Sequence, residues 1–98
     1  MKSKISQRIL NETSPETVKR IRNIYVINFL ERNGFTIKEE DVYSNIHCSV
    51  IIFDSYYGVE FWSEDFMEDV SVYTDNLSLS SLAGLLSYMD FIPRGYNK

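Results

Sequence analysis

The clearest pattern along the chain is a helical repeat of apolar positions over residues 15–33. Ser14 is a good N-cap, Pro15 suits the first helical position, and Gly34 suits the position after the last turn. Four apolar residues recur every three or four positions and share one face: Val18, Ile21, Tyr25 and Phe29. Four more widen this apolar arc: Ile24, Val26, Ile27 and Leu30. We therefore expect the helix to be buried on two sides, or to share its second side with another subunit.

From Tyr43 onward the apolar period changes to two, which is typical of strands. Four residues alternate on one side of the first predicted strand, which continues to residue 53: Ile46, Cys48, Val50 and Ile52. Residues 54–58 have the composition of a turn and residues 59–62 begin a partner strand, so the pattern predicts a hairpin. A third strand is predicted at 70–73, after a polar loop or helical turn at 63–69.

Residues 76–90 repeat leucines at helical spacing and predict a second helix. Residues 1–12 are expected to fray or to form a short helix. The predicted fold is α+β, with a three-stranded antiparallel sheet packed against two main helices in the order α-β-β-β-α. A chain of 98 residues has room for one hydrophobic core, so we expect a single domain spanning 1–98.

Charge is strongly segregated along the chain. Residues 1–38 carry eight basic and three acidic side chains, a net charge of +5, whereas residues 39–75 carry ten acidic side chains and no Lys or Arg. Pairing between these two segments accounts for part of the charge, at about 0–1 kcal/mol per exposed pair. Because ten acids outnumber eight cations, we expect some acidic surface to face a partner.

Composition argues against several classes of protein. The longest apolar runs, 24–27 and 50–53, are far shorter than the roughly 20 residues of a membrane helix, and the N-terminus lacks the apolar segment of a secretory signal. The single Cys48 forms no internal disulfide, which favours a reducing compartment. We expect a cytoplasmic protein that contacts no membrane.

Residues that carry enzymatic chemistry are few. His47 and Cys48 are the only residues of their types, and as neighbours on a predicted strand they point to opposite faces, which rules out a Cys–His nucleophile pair. We expect Cys48 in the core and His47 at the surface. The sequence holds no phosphate-binding, dinucleotide-binding, zinc-protease or EF-hand motif. We therefore expect a protein that is not an enzyme and takes no cofactor.

Carboxylates offer the one enzymatic alternative. If residues 64–69 were helical, Glu64 would neighbour Glu68 and Asp65 would neighbour Asp69, and their oxygens would suit a divalent cation. The segment has no glycine or histidine to position a metal, so an acidic surface without metal is favoured over a small metal-dependent enzyme.

Direct binding to nucleic acid is disfavoured. Lys19, Arg20 and Arg22 would contact phosphates, but the acidic segment 39–75 would repel the same backbone. Acidic and aromatic residues alternate instead in a way that suits a basic groove on a protein. Neighbouring DNA phosphates lie about 6–7 Å apart, near the spacing of same-face side chains on a strand, so acidic rows can imitate them. The candidate partner-binding residues are Asp54, Tyr56, Tyr57, Glu60, Trp62, Glu64, Asp65, Glu68 and Asp69.

The acidic segment 39–75, in a small chain without catalytic motifs, resembles the anti-defence proteins of phages and mobile elements, including DNA-mimicking anti-restriction and anti-CRISPR inhibitors. This resemblance implies a non-catalytic inhibitor that occupies a basic, nucleic-acid-binding site on a host defence protein in the host cytoplasm. Two alternatives stay open. One is a toxin-immunity protein, which has the same character, and the other is a homo-oligomeric adaptor, at its simplest a homodimer, in which the basic helix of one subunit meets the acidic sheet of another.

Overall fold

The computed structural model describes residues 15–93, so the expectations for residues 1–12 and for Ser14 as N-cap lie outside the described range. Two helices and five strands make up this part of the chain. In chain order they are α1 (Pro15–Arg32), β1 (Thr36–Glu39), β2 (Val42–Ser44), β3 (Ser49–Ile52), β4 (Tyr57–Ser63), β5 (Glu68–Tyr73) and α2 (Leu79–Tyr88). The α+β class is confirmed, and the prediction of three strands is wrong.

Helix α1 ends as its sequence predicts. Gly34 adopts a φ of 84°, in the left-handed region that a residue without Cβ enters at little cost. The N–H of Phe35 donates to the carbonyl of Leu30 at 3.0 Å and the N–H of Gly34 donates to Glu31 at 3.2 Å. These two bonds form a Schellman motif, and the burial of both Phe35 and Leu30 supplies its hydrophobic contact.

Helix α2 has the same C-terminal motif without a glycine. The N–H of Phe91 donates to Leu86 at 2.9 Å and that of Asp90 donates to Ser87 at 3.1 Å, while Asp90 takes a φ of 61°. Aspartate tolerates this region better than most residues. At the other end the Ser78 hydroxyl accepts the N–H of Ser81 at 3.1 Å, as an N-cap does.

The five strands form one antiparallel meander in the order β1-β2-β3-β4-β5. The single strand predicted over 43–53 is two strands, because the Asn45 side chain folds the backbone into a turn. Its Oδ1 accepts the N–H groups of His47 at 2.8 Å and Cys48 at 3.0 Å. Ile46, expected on the buried side, is consequently 93 % exposed.

Strand β1 was not predicted because nothing in its sequence shows a buried face. All four of its residues are exposed, and Ile37 remains 66 % accessible. Such short, charged edge strands are held by pairing with a neighbour rather than by burial of their own side chains. Here the pairing is with β2, where Thr36 faces Ser44 and Ile37 faces Tyr43.

The core lies on one face of the sheet, beneath both helices. On the sheet side it contains Tyr43, Val50, Ile52, Tyr57 and Val59, which alternate along β2, β3 and β4. On the helix side it contains Val26, Phe29, Leu30, Leu82, Ala83 and Leu86. The core face of α1 is therefore rotated from the predicted one, since Ile21 and Tyr25 are 49 % and 66 % exposed.

Strands β4 and β5 extend past the rest of the sheet. The last pair between β3 and β4 joins Ser49 to Glu60, whereas β4 and β5 continue for three further pairs. These pairs are Phe61 with Val70, Trp62 with Asp69, and Ser63 with Glu68. Residues 61–70, which we name the hairpin tip, thus form a two-stranded projection, and the Phe61 ring anchors its start against the core, 5.1 Å from the ring of Phe91. Neither of the helices in the described region is long and apolar enough to cross a membrane.

Candidate partner-binding surface

The meander separates the acidic segment into two groups at opposite ends of the sheet. The turns after β1 and β3 and the end of β5 lie at one end and carry Glu39, Glu40, Asp41, Asp54 and Asp75. The turn between β4 and β5 lies at the other end, with Glu64, Asp65, Glu68 and Asp69. Glu60 lies between them on β4. Of these ten acids, Asp41 is partly buried and the other nine are exposed, so the acidic segment is a solvent-facing surface.

The hairpin tip combines acidic and large apolar side chains. Trp62, Phe66 and Met67 are 56 %, 71 % and 70 % exposed, and the four acids of the tip are exposed around them. Exposed apolar groups of this size, surrounded by charge, are typical of surfaces that bind other proteins. The tip is therefore the densest group of candidate contact residues within the described region.

The loop of the hairpin tip contains an unusual backbone conformation. Met67 has a φ of 56°, which costs a residue with a long side chain about 1–2 kcal/mol relative to an ordinary conformation. The N–H of Phe66 donates to the Ser63 hydroxyl at 3.3 Å and helps to close the four-residue loop. A glycine or asparagine would satisfy this loop better than methionine. The sequence thus keeps an exposed thioether where fold stability favours a smaller residue.

Tyr57 does not belong to the candidate surface, which corrects the expectation from its place beside a turn. Its side chain is fully buried, its hydroxyl donates to the carbonyl of Leu77 at 2.8 Å, and its N–H donates to the Thr74 hydroxyl at 2.9 Å. Because side chains alternate along β4, the register that exposes Glu60 and Trp62 directs Tyr57 into the core.

Tyr56 and Asp54 lie at the base of the hairpin, at the opposite end of β4 from the tip. The Tyr56 ring stands 4.9 Å from that of Phe53 and 5.5 Å from that of Tyr73, measured between centroids. The rings of Phe53 and Tyr73 lie over Gly58, where an added Cβ would come within 2.8 Å of Phe53 and 3.3 Å of Tyr73. The aromatic residues at the base therefore pack on one another, and Tyr56 is only 37 % exposed.

The open face of the sheet lies opposite the helices. One row across all five strands consists of four hydroxyl residues and one acid: Thr36, Ser44, Ser49, Glu60 and Ser71. The hydroxyls of Ser44 and Ser49 are hydrogen-bonded at 2.7 Å. Beside this row a depression of about 380 Å³ is bordered by Trp62, Asp69 and Lys38, among other residues. Short side chains in the row leave this part of the sheet open.

Groups with nucleophilic or metal-binding chemistry are poorly placed for catalysis. Cys48 is buried, as expected, and this burial raises the pKa of its thiol to about 12, so the thiol stays protonated at neutral pH. His47 is exposed, and its ring is stacked with that of Phe91 at 6.1 Å. Among the described residues no group of three or more His, Cys, Asp or Glu side chains is arranged to hold a metal ion.

Phe66 and Met67 are exposed at the tip but are not among the candidate partner-binding residues predicted from the sequence. The signal was present, because these two apolar residues interrupt a run of acids between two predicted strands, and hairpin loops face solvent. The hydroxyl row and the depression could not be found without the register of all five strands, because β1 was not predicted and β2 and β3 were predicted as one strand.

Comparison with known proteins identifies no relative of this chain. No protein-family model, no curated protein and no solved structure shows a significant match to the chain.

Proposed function

We propose that this protein is a non-catalytic inhibitor that inserts its hairpin tip into a basic, nucleic-acid-binding groove of a host defence protein. The observation that carries this proposal is the exposure of Trp62, Phe66 and Met67 on a two-stranded projection flanked by four exposed acids. A projection enters a groove more readily than a flat face does, and its apolar side chains would supply the desolvated contacts that dominate binding energy.

The charges of the tip favour a basic partner over an apolar one. The six residues from Glu64 to Asp69 contain four acids and no cation. Such a concentration of one sign accelerates encounter with a surface of opposite sign and opposes binding to acidic surfaces, including nucleic acid itself. A groove that normally holds phosphates has the required charge, which is why a nucleic-acid-binding protein is the partner we propose.

The test uses two charge-matched triple variants of the whole chain. The first reverses Glu64, Asp65 and Glu68 to Lys at the tip, and the second reverses Glu39, Glu40 and Asp75 to Lys at the opposite end. All six side chains are exposed, so we expect both variants to fold. Immobilised wild-type chain is exposed to bacterial lysate at low and at high salt, and captured proteins are then purified and assayed for binding to labelled DNA.

We expect the wild type and the second variant to capture the same salt-sensitive protein and to displace DNA from it, whereas the tip variant loses at least about tenfold in affinity because charge steering is reversed. Equal capture by the two variants at low salt would overturn the proposal. Capture of a secreted or intercellular toxin that binds no nucleic acid would instead support the toxin-immunity alternative.

A homo-oligomeric adaptor is the second candidate, and one observation favours it. Ile21, Ile24 and Tyr25 are exposed on α1, beside its core face. Contact between this patch and the acidic sheet of another copy joins two different surfaces, so it would form either a reciprocal two-fold dimer or, head-to-tail, a ring or filament. Sedimentation that shows a salt-insensitive monomer at high concentration would exclude this adaptor.

A further inference from the structure

The depression beside Trp62 is a feature that docking of the hairpin tip alone does not explain. It lies on the open sheet face, has a volume of about 380 Å³, and receives side chains from all five strands, among them Lys38, Ser44, Ser49, Glu60, Trp62 and Asp69. The turn at 45–48 forms part of its wall, but Glu60, Trp62 and Asp69 lie on paired strands, so the fold holds the backbones of these three residues in fixed positions.

Strand register brings two carboxylates and one indole together in this depression. Glu60 and Trp62 are two residues apart on β4 and therefore share a face, and Asp69 lies directly across from Trp62 on β5. Glu60 and Asp69 are diagonal neighbours, a relation that separates Cα atoms by about 7–8 Å. The indole is 56 % exposed, so its ring is accessible from the open face.

We propose that this depression binds an arginine side chain of the partner protein. The guanidinium donates hydrogen bonds to the carboxylates of Glu60 and Asp69 and lies against the indole of Trp62. This inference rests on the proposed function, since a groove that binds nucleic acid offers arginines on its surface. Arginine fits better than lysine because its guanidinium is planar, stacks on aromatic rings and donates to two acceptors at once.

The other lining residues agree with a long side chain entering from solvent. The hydroxyls of Ser44 and Ser49 share one hydrogen bond of 2.7 Å, and because both side chains are short they leave room beside Glu60. Lys38 is the one Lys or Arg among the residues that line the depression, which also include His47. Its ammonium opposes a second cation, and its removal should therefore strengthen binding of arginine. If the depression bound an anion instead, replacing Lys38 would weaken binding. The direction of the affinity change therefore shows whether the ligand is a cation or an anion.

Trp62 is the only tryptophan of the chain, which makes its fluorescence a direct report on this depression. The full chain is titrated with hexa-arginine peptide and, separately, with hexa-lysine peptide, in buffer of low ionic strength. We expect a saturable change in Trp62 emission with hexa-arginine, at an affinity at least about threefold tighter than that for hexa-lysine. Equal affinity for the two peptides would overturn the assignment to arginine.

Variants locate the binding within the molecule. Substituting Glu60→Gln together with Asp69→Asn should weaken hexa-arginine binding about tenfold, whereas Lys38→Met should strengthen it about twofold or more. The matched control is Glu39→Gln with Glu40→Gln, which removes the same charge at the opposite end of the sheet. Equal weakening by the two double variants would show that the acids act only through net charge and would overturn the proposal. Lys38→Met changes one exposed side chain and keeps the test valid even if the Glu60/Asp69 variant is unstable.

The two proposals fail in distinguishable ways. The tip variant used to test the proposed function leaves Glu60, Trp62 and Asp69 unchanged. If a captured partner is lost by the tip variant but bound with unchanged affinity by the Glu60/Asp69 variant, the arginine site is wrong and the proposed function stands. If saturable, arginine-selective binding occurs but both triple variants capture the same proteins equally, the arginine site stands on its own and the proposed function is wrong.

Discussion

The two ends of the β4–β5 hairpin use aromatic residues in opposite ways. At the base, Phe53, Tyr56 and Tyr73 lie with ring centroids 4.9–6.4 Å apart, close enough for favourable ring contacts. At the tip, Trp62 and Phe66 are 56 % and 71 % exposed. The two ends share the same strands, but the rings at the base contribute to stability and those at the tip remain available to a partner.

Neighbouring strands explain why the two ends differ. At the base, β4 is flanked by β3 as well as β5, and Gly58 leaves space that the Phe53 ring fills. At the tip, β4 pairs with β5 alone, so no third strand offers a surface on which Trp62 or Phe66 can pack. A two-stranded ribbon buries little by itself. The tip residues are thus exposed because β4 and β5 extend three residue pairs beyond the end of β3.

The largest expected effect comes from truncating one large side chain on each face of β4. Tyr57→Ala should lower the free energy of unfolding by about 3–5 kcal/mol, because it empties a fully buried site. Trp62→Ala, five residues along the same strand, should lower it by less than about 1 kcal/mol. Urea denaturation followed by far-UV circular dichroism measures both. A comparable loss for the two variants would mean that Trp62 supports the fold and is not held for a partner.

A second test disturbs the base without touching an aromatic residue. Gly58→Ala places a methyl group 2.8 Å from the present position of the Phe53 ring, so the ring must move, and we expect a loss of about 1–3 kcal/mol in unfolding free energy with a reduced near-UV dichroism signal. Gly84→Ala is the matched control. Gly84 lies inside α2 with open space around it, so this change should stabilise the protein by about 0.5–1 kcal/mol. If both Gly58→Ala and Gly84→Ala destabilised the protein, the loss at Gly58 could not be assigned to displacement of the aromatic rings.

The smallest effect is expected at the loop of the tip. Met67→Gly relieves the left-handed backbone at φ 56° and should raise the unfolding free energy by about 0.5–1 kcal/mol, while it weakens capture of the partner by removing an exposed apolar contact. Asp41→Gly, at a φ of 61°, should gain less because aspartate tolerates this region. Thermal unfolding and the capture assay give the two readouts. If Met67→Gly destabilised the protein, the methionine side chain would be serving the fold.

Prediction from the sequence succeeded where local signals agree with the final packing. Gly34 as the end of α1, the hairpin of β3 and β4 around residues 54–58, and the second helix all follow from turn chemistry and periodicity, and the structure contains them. The prediction failed where side-chain hydrogen bonds override the apolar pattern and where a strand carries no such pattern. The Asn45 side chain breaks the predicted first strand, and the charged β1 carries no pattern that marks it as a strand.

The amino-acid sequence alone shows that a net charge of −10 lies between residues 39 and 75 and that large apolar residues interrupt it. Which of these residues meet depends on the folded sheet, because only the register of five strands assigns each one to a face and an end. It sent Tyr57 into the core, left Trp62 on the open face beside Glu60 and Asp69, and divided the acids between two ends of the sheet. The physical reason is that side chains alternate along a strand. A shift of one residue in register therefore moves each side chain from the core face to the solvent face, or the reverse.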